Sequence, residues 1–369
     1  MVIGIDASQA NKNKKTGVEW CSYYLIQELK KIPLKSGNKF ILYSQDGLQK
    51  DLNQLPDNWT SKVLKWPKGF FWTQIRLLWE LKSNPPDIFF TPGYYSPFFN
   101  RVKSILIIHD LGLNFLKKKH SLKEKWIDVL LQRRAISKAV KIIVPCHFVK
   151  KTILEKFPVL KEKIEVIFEG YDQRRFNLEK NFQNIESVLK KYQIKKPYFL
   201  CVGRLEKRKN QINLIKAYKV LNKINSKTPD LVLVGKSGYG YQEIKKEILN
   251  NKGIKEVGYV SESELKVIYQ EALAFIFPSL YEGFGLPILE AMACGIPVLA
   301  SRIEPFIEIG EKEILFFNQN KFEEIANKMD LIIKDEELRF HLIKVGLNRV
   351  KYFSWQKMAE QLMDVFLSY

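Results

Sequence analysis

Short apolar runs alternate with amphipathic stretches from one end of the chain to the other, and the alternation starts afresh halfway along. Runs of strand length occur at 2–6, 40–43, 87–91, 105–109, 141–145 and 164–168, with helical periodicity between them at 20–31 and 123–137. After a polar, charged segment at 172–197 the pattern resumes, with strands expected at 198–202, 231–235, 274–278, 297–300 and 314–317. Helices fit 211–222, 242–251, 263–271 and 287–293, and another fits 185–192 within the polar segment itself. Such alternation belongs to parallel sheets covered by helices. Its duplication over 369 residues predicts an α/β chain of two domains, with the best boundary in 172–197. Near the end, Trp355, Met358, Leu362 and Phe366 share one helical stripe, with Ser354 placed to cap it. Open parallel sheets bind ligands beyond the carboxyl ends of their strands, where the strand order reverses. Two such edges facing each other would make a cleft, so the residues that follow the strands decide the chemistry.

Composition narrows the classes. Hydrophobic residues make up 46% of the chain and charged residues 27%, a globular balance. No apolar run approaches the ~18 residues of a membrane-spanning helix. The opening residues read as a buried strand rather than a signal peptide. Cys21, Cys146, Cys201 and Cys294 are scattered and form no Cys-x-x-Cys pair, which reads as reduced core cysteines of a cytosolic protein. The net charge of +20 is uneven: the first 175 residues hold 31 Lys and Arg against 16 Asp and Glu, the remainder 29 against 24. Nucleic acid, an anionic membrane, an anionic substrate or simply a lysine-rich surface would each account for a basic first half. No nucleic-acid-binding motif is present, so a nucleic-acid partner is not expected. A dinucleotide-dependent oxidoreductase would need Gly-x-Gly-x-x-Gly after the first strand, where this chain has Asp6-Ala7-Ser8-Gln9. The four histidines, His109, His120, His147 and His341, form no close ligand set, so no metal is expected. His109 stands out because it ends a strand at the predicted ligand edge.

Two segments carry chemistry. After the strand at 198–202 comes Gly203-Arg204-Leu205-Glu206-Lys207-Arg208-Lys209-Asn210. Arg204, Arg208 and Lys209 precede a helix N-terminus, which suits a diphosphate; an exposed basic loop would have the same composition. After the strand at 274–278 comes Ser279-Leu280-Tyr281-Glu282-Gly283-Phe284-Gly285-Leu286-Pro287, leading to Glu290 and Gly295. Gly283 and Gly285 admit close backbone approach, and Pro287 suits a first helical turn. Glu290, on an otherwise apolar helix, is either a cap-like structural residue or a ligand for hydroxyls, and Glu282 reaches the same region from the preceding turn.

Glu282 and Glu290, with seven residues between them, resemble the E-x7-E signature of glycosyltransferase family 4. The run Gly203-Arg204-Leu205 to Lys209 resembles that family's diphosphate-binding segment. The likeness extends to Gly4-Ile5-Asp6-Ala7 and Thr16-Gly17-Val18-Glu19, to Ile107-Ile108-His109-Asp110-Leu111, to Glu169-Gly170-Tyr171-Asp172 and to Phe353-Ser354-Trp355, as in mannosyltransferase-like members. It implies the GT-B fold: two Rossmann-like, doubly wound domains facing across a cleft, with the last helix crossing back. The domains would be 1–172 plus 355–369, binding the acceptor, and 173–354, binding the nucleotide sugar. It further implies a retaining transfer that needs no metal and no cofactor beyond the sugar-nucleotide substrate. Arg204 and Lys209 would hold the diphosphate and stabilise the leaving group. Glu290 would bind the ribose and Glu282 the donor sugar, assisted by Gly283 and by backbone N–H groups of Phe284, Gly285 and Leu286. Gly203 would end the strand beside the phosphates, Tyr259 and Val260 would lie near the base, and His109 would contact the sugar from the other domain.

The chain departs from the family pattern in places. The first loop has one clear glycine, Gly17, Glu169 stands where Asn is frequent, and Pro145-Cys146-His147 replaces a serine-rich turn. The resemblance implies GDP-mannose as donor, or else a UDP-sugar, and a saccharide or lipid-linked saccharide as acceptor. A sugar-nucleotide epimerase of the same fold is the nearest enzymatic rival, separable by whether nucleoside diphosphate is released only with an acceptor. The segment 65–72, with Ile75, Leu78 and Trp79, mixes basic and aromatic residues, and Lys117-Lys118-Lys119 adds a second basic cluster. That composition suits attachment to an anionic membrane surface from the cytoplasmic side. Leu78 and Trp79 are expected to pack inside the acceptor domain.

Overall fold

The computed structural model describes residues 1–15, 17–33, 37–67, 71–93, 96–97, 101–111, 122–180, 182–225 and 227–369. Thr16, Lys68-Gly69-Phe70, Lys117-Lys118-Lys119 and His120 therefore lie outside the described residues. The chain divides into two compact units, residues 1–170 with 354–369, and residues 171–353. These limits fall within two residues of those expected. No helix among the described residues is long and apolar enough to cross a membrane.

Unit 1 opens with β1 (Val2–Asp6), α1 (Gly17–Leu29), β2 (Lys39–Ser44) and β3 (Trp59–Val63). A π turn (Thr73–Leu77) then leads into α2 (Leu78–Ser83), followed by β4 (Ile88–Thr91) and β5 (Lys103–Ile107). α3 (Leu122–Lys138), β6 (Lys141–Val144), α4 (His147–Lys156) and β7 (Ile164–Val166) complete its first part. The sheet is parallel throughout, in the order β3-β2-β1-β4-β5-β6-β7. Its central strands are buried on both faces, which is why they read as unbroken apolar runs.

Unit 2 runs through α5 (Phe182–Lys191), β8 (Tyr198–Val202), α6 (Gln211–Ile224), β9 (Asp230–Val234), α7 (Tyr241–Leu249) and β10 (Ile254–Gly258). It continues through α8 (Glu262–Gln270), β11 (Ala274–Phe277), α9 (Leu286–Ala293), β12 (Val298–Ser301) and α10 (Glu304–Gly310). β13 (Leu315–Phe317), α11 (Phe322–Lys334) and α12 (Glu336–Arg349) end it. The second parallel sheet has the order β10-β9-β8-β11-β12-β13, and Leu214, Leu233, Ile276 and Met329 lie in its fully buried core. In each sheet the strand order reverses once, between β1 and β4 and between β8 and β11.

The last helix, α13 (Trp355–Leu367), belongs to unit 1 and packs against α1. Ser354 caps it by accepting a hydrogen bond from the Lys357 amide, as expected. Trp355 stacks on Tyr24, and Phe366 meets Phe40 and Phe90 edge-on. Gly170 makes this return possible: a Cβ there would lie 2.0 Å from the Trp355 backbone nitrogen.

Three expectations are corrected. β3 and β10, each at one edge of its sheet, were not foreseen, because polar residues interrupt them; the opposite edges, β7 and β13, lie within expected runs. β5 ends at Ile107, so His109 lies beyond the strand. Trp79 does not pack inside: it is 61% exposed, while Leu78 is half-buried. The π turn is the cause. Its Leu77 amide bonds the Trp72 carbonyl five residues back, at 3.0 Å, so Trp72, Leu77 and Leu81 share the buried side with Tyr43, Leu64 and Phe89. Seven residues make nearly two full α-helical turns, which would put Trp79 beside Trp72; one extra residue in the turn rotates Trp79 outward.

Candidate active site

The switch point of the second sheet lies between β8 and β11, and the loops that follow these strands are tied to each other. The Leu280 amide donates to the Arg208 carbonyl at 2.9 Å. Asn210, in the left-handed conformation before α6, donates to the carbonyls of Pro278 and Gln319. The Arg208 guanidinium donates to the Tyr281 carbonyl at 3.0 Å and to Glu282 Oε2 at 2.8 Å. Lys209 Nζ donates to Glu282 Oε1 at 2.5 Å and lies 4.7 Å from the centre of the Phe277 ring. The Lys209 and Glu282 side chains are each only 12% exposed. Burial opposes ionisation of Glu282, but Lys209 and Arg208 outweigh it and hold the carboxyl below its usual range.

Glu290 sits in a different environment on α9. Gly285 precedes this helix with φ of 154°, a conformation that side chains rarely adopt, and a Cβ there would press on Phe306 at 3.1 Å. Pro287 stands in the first turn. Tyr269, a fully buried residue of α8, donates its hydroxyl to Glu290 Oε2 at 2.9 Å. Burial pushes the Glu290 carboxyl up to about 7, against the pull of the Tyr269 hydrogen bond and the charge of Arg175. Arg175 is shared, at 3.3 Å from Asp172 and 2.6 Å from Glu262.

In unit 1, His109 follows β5 and is 8% exposed. Its Nδ1 lies 2.6 Å from Glu169 Oε1, and its Nε2 lies 3.0 Å from the Pro92 carbonyl beyond β4. Burial disfavours a charged ring, but the Glu169 hydrogen bond and charge prevail and raise the His109 pKa. A ring with both nitrogens on acceptors is best satisfied as the imidazolium. Cys21 Sγ is within 4.8 Å of this pair, so three groups able to bind a metal meet here, a set that spacing along the sequence does not disclose. Burial raises the Cys21 thiol well above its usual pKa.

Anchored cations and carboxylates at the carboxyl end of the second sheet suit a phosphate-bearing, hydroxyl-rich ligand. Comparison with known proteins agrees. The family model "Glycosyltransferase Family 4" matches residues 16–175, and "Glycosyl transferases group 1" matches 181–349. A glycosyltransferase of Methanocaldococcus jannaschii is 30% identical over 284 residues, 73% of this chain and 69% of that protein. The chain belongs to glycosyltransferase family 4. Among other relatives, O-antigen chain mannosyltransferase B of Escherichia coli is 27% identical over 299 residues, covering 79% of this chain and 77% of that one. O-antigen chain mannosyltransferase RfbU of Salmonella typhimurium is 27% identical over 260 residues, 70% and 67% of the two chains. The structure of Anabaena Alr3699/HepE with UDP and glucose superposes with a TM-score of 0.74 at 17% identity, covering 100% of this chain and 99% of that one. That of WaaG, a glycosyltransferase involved in lipopolysaccharide biosynthesis, gives 0.73 at 13%, covering 99% of each. The fold is GT-B, and the protein is a glycosyltransferase.

Within this family 4 enzyme, the structure brings together some of the expected residues and leaves others apart. Lys209 and Glu282 meet, but the second cation on Glu282 is Arg208; Arg204 is exposed and its carbonyl accepts from Gln211. Gly203 follows β8 directly with a positive φ of 143°. Gly283 and Phe284 are buried and Leu286 is half-buried, with Phe284 edge-on to Phe353. Val260 is buried, whereas Tyr259 is 62% exposed beneath the Lys236 ammonium, 4.3 Å from its ring centre. Gly17, at the start of α1, is exposed. Sequence reasoning did not find Tyr269 as the partner of Glu290, nor Glu169 as the partner of His109; the departure at Glu169 was the one visible signal for the latter.

Proposed function

We propose that this enzyme transfers mannose from GDP-mannose, with retention at the anomeric carbon, to a saccharide or lipid-linked saccharide in cell-surface polysaccharide synthesis. The observation that carries this reading is the likeness to O-antigen mannosyltransferases over more than two thirds of the chain. In this reading Lys209 and Arg204 take the diphosphate, with Arg208 beside them, and stabilise the charge that develops as the glycosidic bond breaks. Glu290 accepts from the ribose hydroxyls and Glu282 from the donor sugar. Backbone groups of Gly283, Phe284, Gly285 and Leu286 assist, Tyr259 and Val260 flank the base, and His109 contacts the sugar. Gly203 and Gly17 let the backbone approach the phosphates. The acceptor is met at an anionic membrane surface on the cytoplasmic side. A UDP-sugar donor is the second reading, favoured by the fold shared with an Anabaena protein solved with UDP-glucose.

A panel of sugar nucleotides decides between the donors. A ligand at a hundredfold its dissociation constant stabilises the native state by about 2.7 kcal/mol, enough to raise the melting temperature measurably. GDP-mannose is expected to give the largest rise and to be turned over. Turnover of a UDP- or ADP-sugar with GDP-mannose inert would overturn the donor assignment. Nucleoside diphosphate release only when a saccharide is supplied separates transfer from epimerisation. Turnover is expected to persist in EDTA, because the cationic work falls to Lys209 and its arginine neighbours; complete loss, restored by a divalent metal, would refute this.

A further inference from the structure

Three large apolar side chains of unit 1 stand in solvent at regular intervals. Phe71, Ile75 and Trp79 are 67%, 49% and 61% exposed. They are four residues apart, on and just before the helical stretch formed by the π turn and α2. The opposite side of that stretch is committed to the core through Trp72, Leu77 and Leu81, and the Trp72 indole donates to the Leu64 carbonyl at 2.9 Å. The outward stripe therefore cannot turn in without unpacking this core. Val63, adjacent to Leu64, adds a fourth exposed apolar side chain at 42%.

The charge along this stretch is mostly of one sign, with Asp46 of a neighbouring segment lying beside Val63 and Lys65. Residues 59–83 hold five Lys and Arg and a single acid, Glu80. That acid is turned inward, buried, and engaged by Lys62 at 2.7 Å, Arg76 at 3.5 Å and Asn84 at 3.1 Å. Arg76 also lies against the Trp79 ring, 4.9 Å from its centre, while Lys65 and Lys82 are exposed. The surface thus offers aromatic and aliphatic side chains within a cationic rim. A second copy of this +20 chain would bring like charges together on the same face. A bilayer rich in anionic headgroups matches both properties, because large apolar side chains enter the headgroup–acyl boundary and each nearby cation gains from the surface potential.

We infer that Phe71, Ile75 and Trp79 form an insertion edge, rimmed by Lys65, Arg76 and Lys82, by which unit 1 sits on an anionic lipid surface. The inference rests on the membrane reading given above and assigns it to particular side chains. Its test is sedimentation with vesicles of phosphatidylcholine, with and without phosphatidylglycerol, at low and high salt. The native protein should bind the anionic vesicles and be partly released by salt. The variant Phe71→Ser, Ile75→Ser, Trp79→Ser should partition on the order of a hundredfold more weakly. Lys65→Glu with Lys82→Glu should lose binding at low salt. Since the altered side chains are exposed, melting temperature and stabilisation by the sugar nucleotide should be unchanged. Salt-sensitive binding that survives in the triple serine variant would overturn the insertion edge while leaving membrane attachment intact. Absence of binding to either vesicle would overturn edge and attachment together, and equal binding to both would overturn the anionic surface as partner. A dimer in light scattering that the triple variant converts to monomer would assign the stripe to self-association instead.

Discussion

Glu282→Gln is expected to lose about ten- to more than a hundredfold in turnover, while binding free nucleoside diphosphate no more weakly than the native enzyme. The carboxylate lies between Arg208 and Lys209 and is largely shielded from water. An amide keeps the shape but leaves two cations side by side with no shared counter-ion. Hydrogen bonds to charged groups are worth roughly 1.5–3 kcal/mol, so the variant should melt at a lower temperature. A diphosphate supplies the missing negative charge, and its stabilising effect should therefore be larger in the variant than in the native protein. The sugar hydroxyl contact proposed for Glu282 is lost with the charge, so turnover falls although the nucleotide is held. Normal turnover together with a normal response to diphosphate would make Glu282 purely structural. The pH signature is distinctive. The folded-state pKa of Glu282 is depressed, so its contribution to stability is fully present above the ordinary glutamate range. It is lost only as pH falls below that range, through the depressed value. Nothing from this residue should titrate near neutrality.

The fold was legible in the sequence because central strands of a parallel sheet are covered on both faces and must be apolar throughout. The same rule hides β3 and β10, each covered less at the edge of its sheet and interrupted by Thr60 and Lys62 or by Lys255 and Glu256. Trp79 shows where local pattern fails. Its spacing from Trp72 is that of a helical neighbour, and only the hydrogen bond from Leu77 to Trp72 reveals the extra residue that turns it outward. At the candidate site, the places of Lys209, Glu282 and Glu290 after β8 and β11 were legible because the strands before them are apolar runs. Their partners were not. Arg208 and Arg204 are both close to the strand end, and the three-residue turn at Lys207–Lys209 decides which of them reaches Glu282. Tyr269 lies on α8 and meets Glu290 because α8 and α9 pack together. Glu169 lies sixty residues beyond His109 in sequence and reaches it from the end of the neighbouring part of the sheet. Long-range pairing of this kind leaves no periodic trace in a chain.

Nucleoside diphosphate binding is expected to release more protons at pH 6 than at pH 8.5, and Glu290 supplies up to one of them beside the terminal phosphate's own ionisation near pH 6. Its carboxyl is pushed up to about 7 by burial, against about 4.3 for an unperturbed glutamate. The sign follows from linkage. Between those two values the folded protein holds a proton that the unfolded chain has lost, so stability falls as pH rises through this window. The full loss is on the order of 3 kcal/mol by pH 8, present only in the unliganded protein. Ribose hydroxyls can donate to a carboxylate but gain less from a carboxylic acid. The bound nucleotide therefore favours the ionised form, affinity rises with pH through neutrality, and binding below pH 7 expels the proton. Calorimetry in two buffers of different ionisation enthalpy measures the release directly. Glu290→Gln should leave only the terminal phosphate's share of the release, lessen the pH dependence of affinity and weaken the diphosphate by about ten- to a hundredfold. Tyr269→Phe removes the hydroxyl that favours the carboxylate, at 2.9 Å, so it should keep the proton release and move it to higher pH, with a smaller loss of affinity. Proton release that is unchanged in Glu290→Gln would assign the titration to another group and remove Glu290 from the ribose.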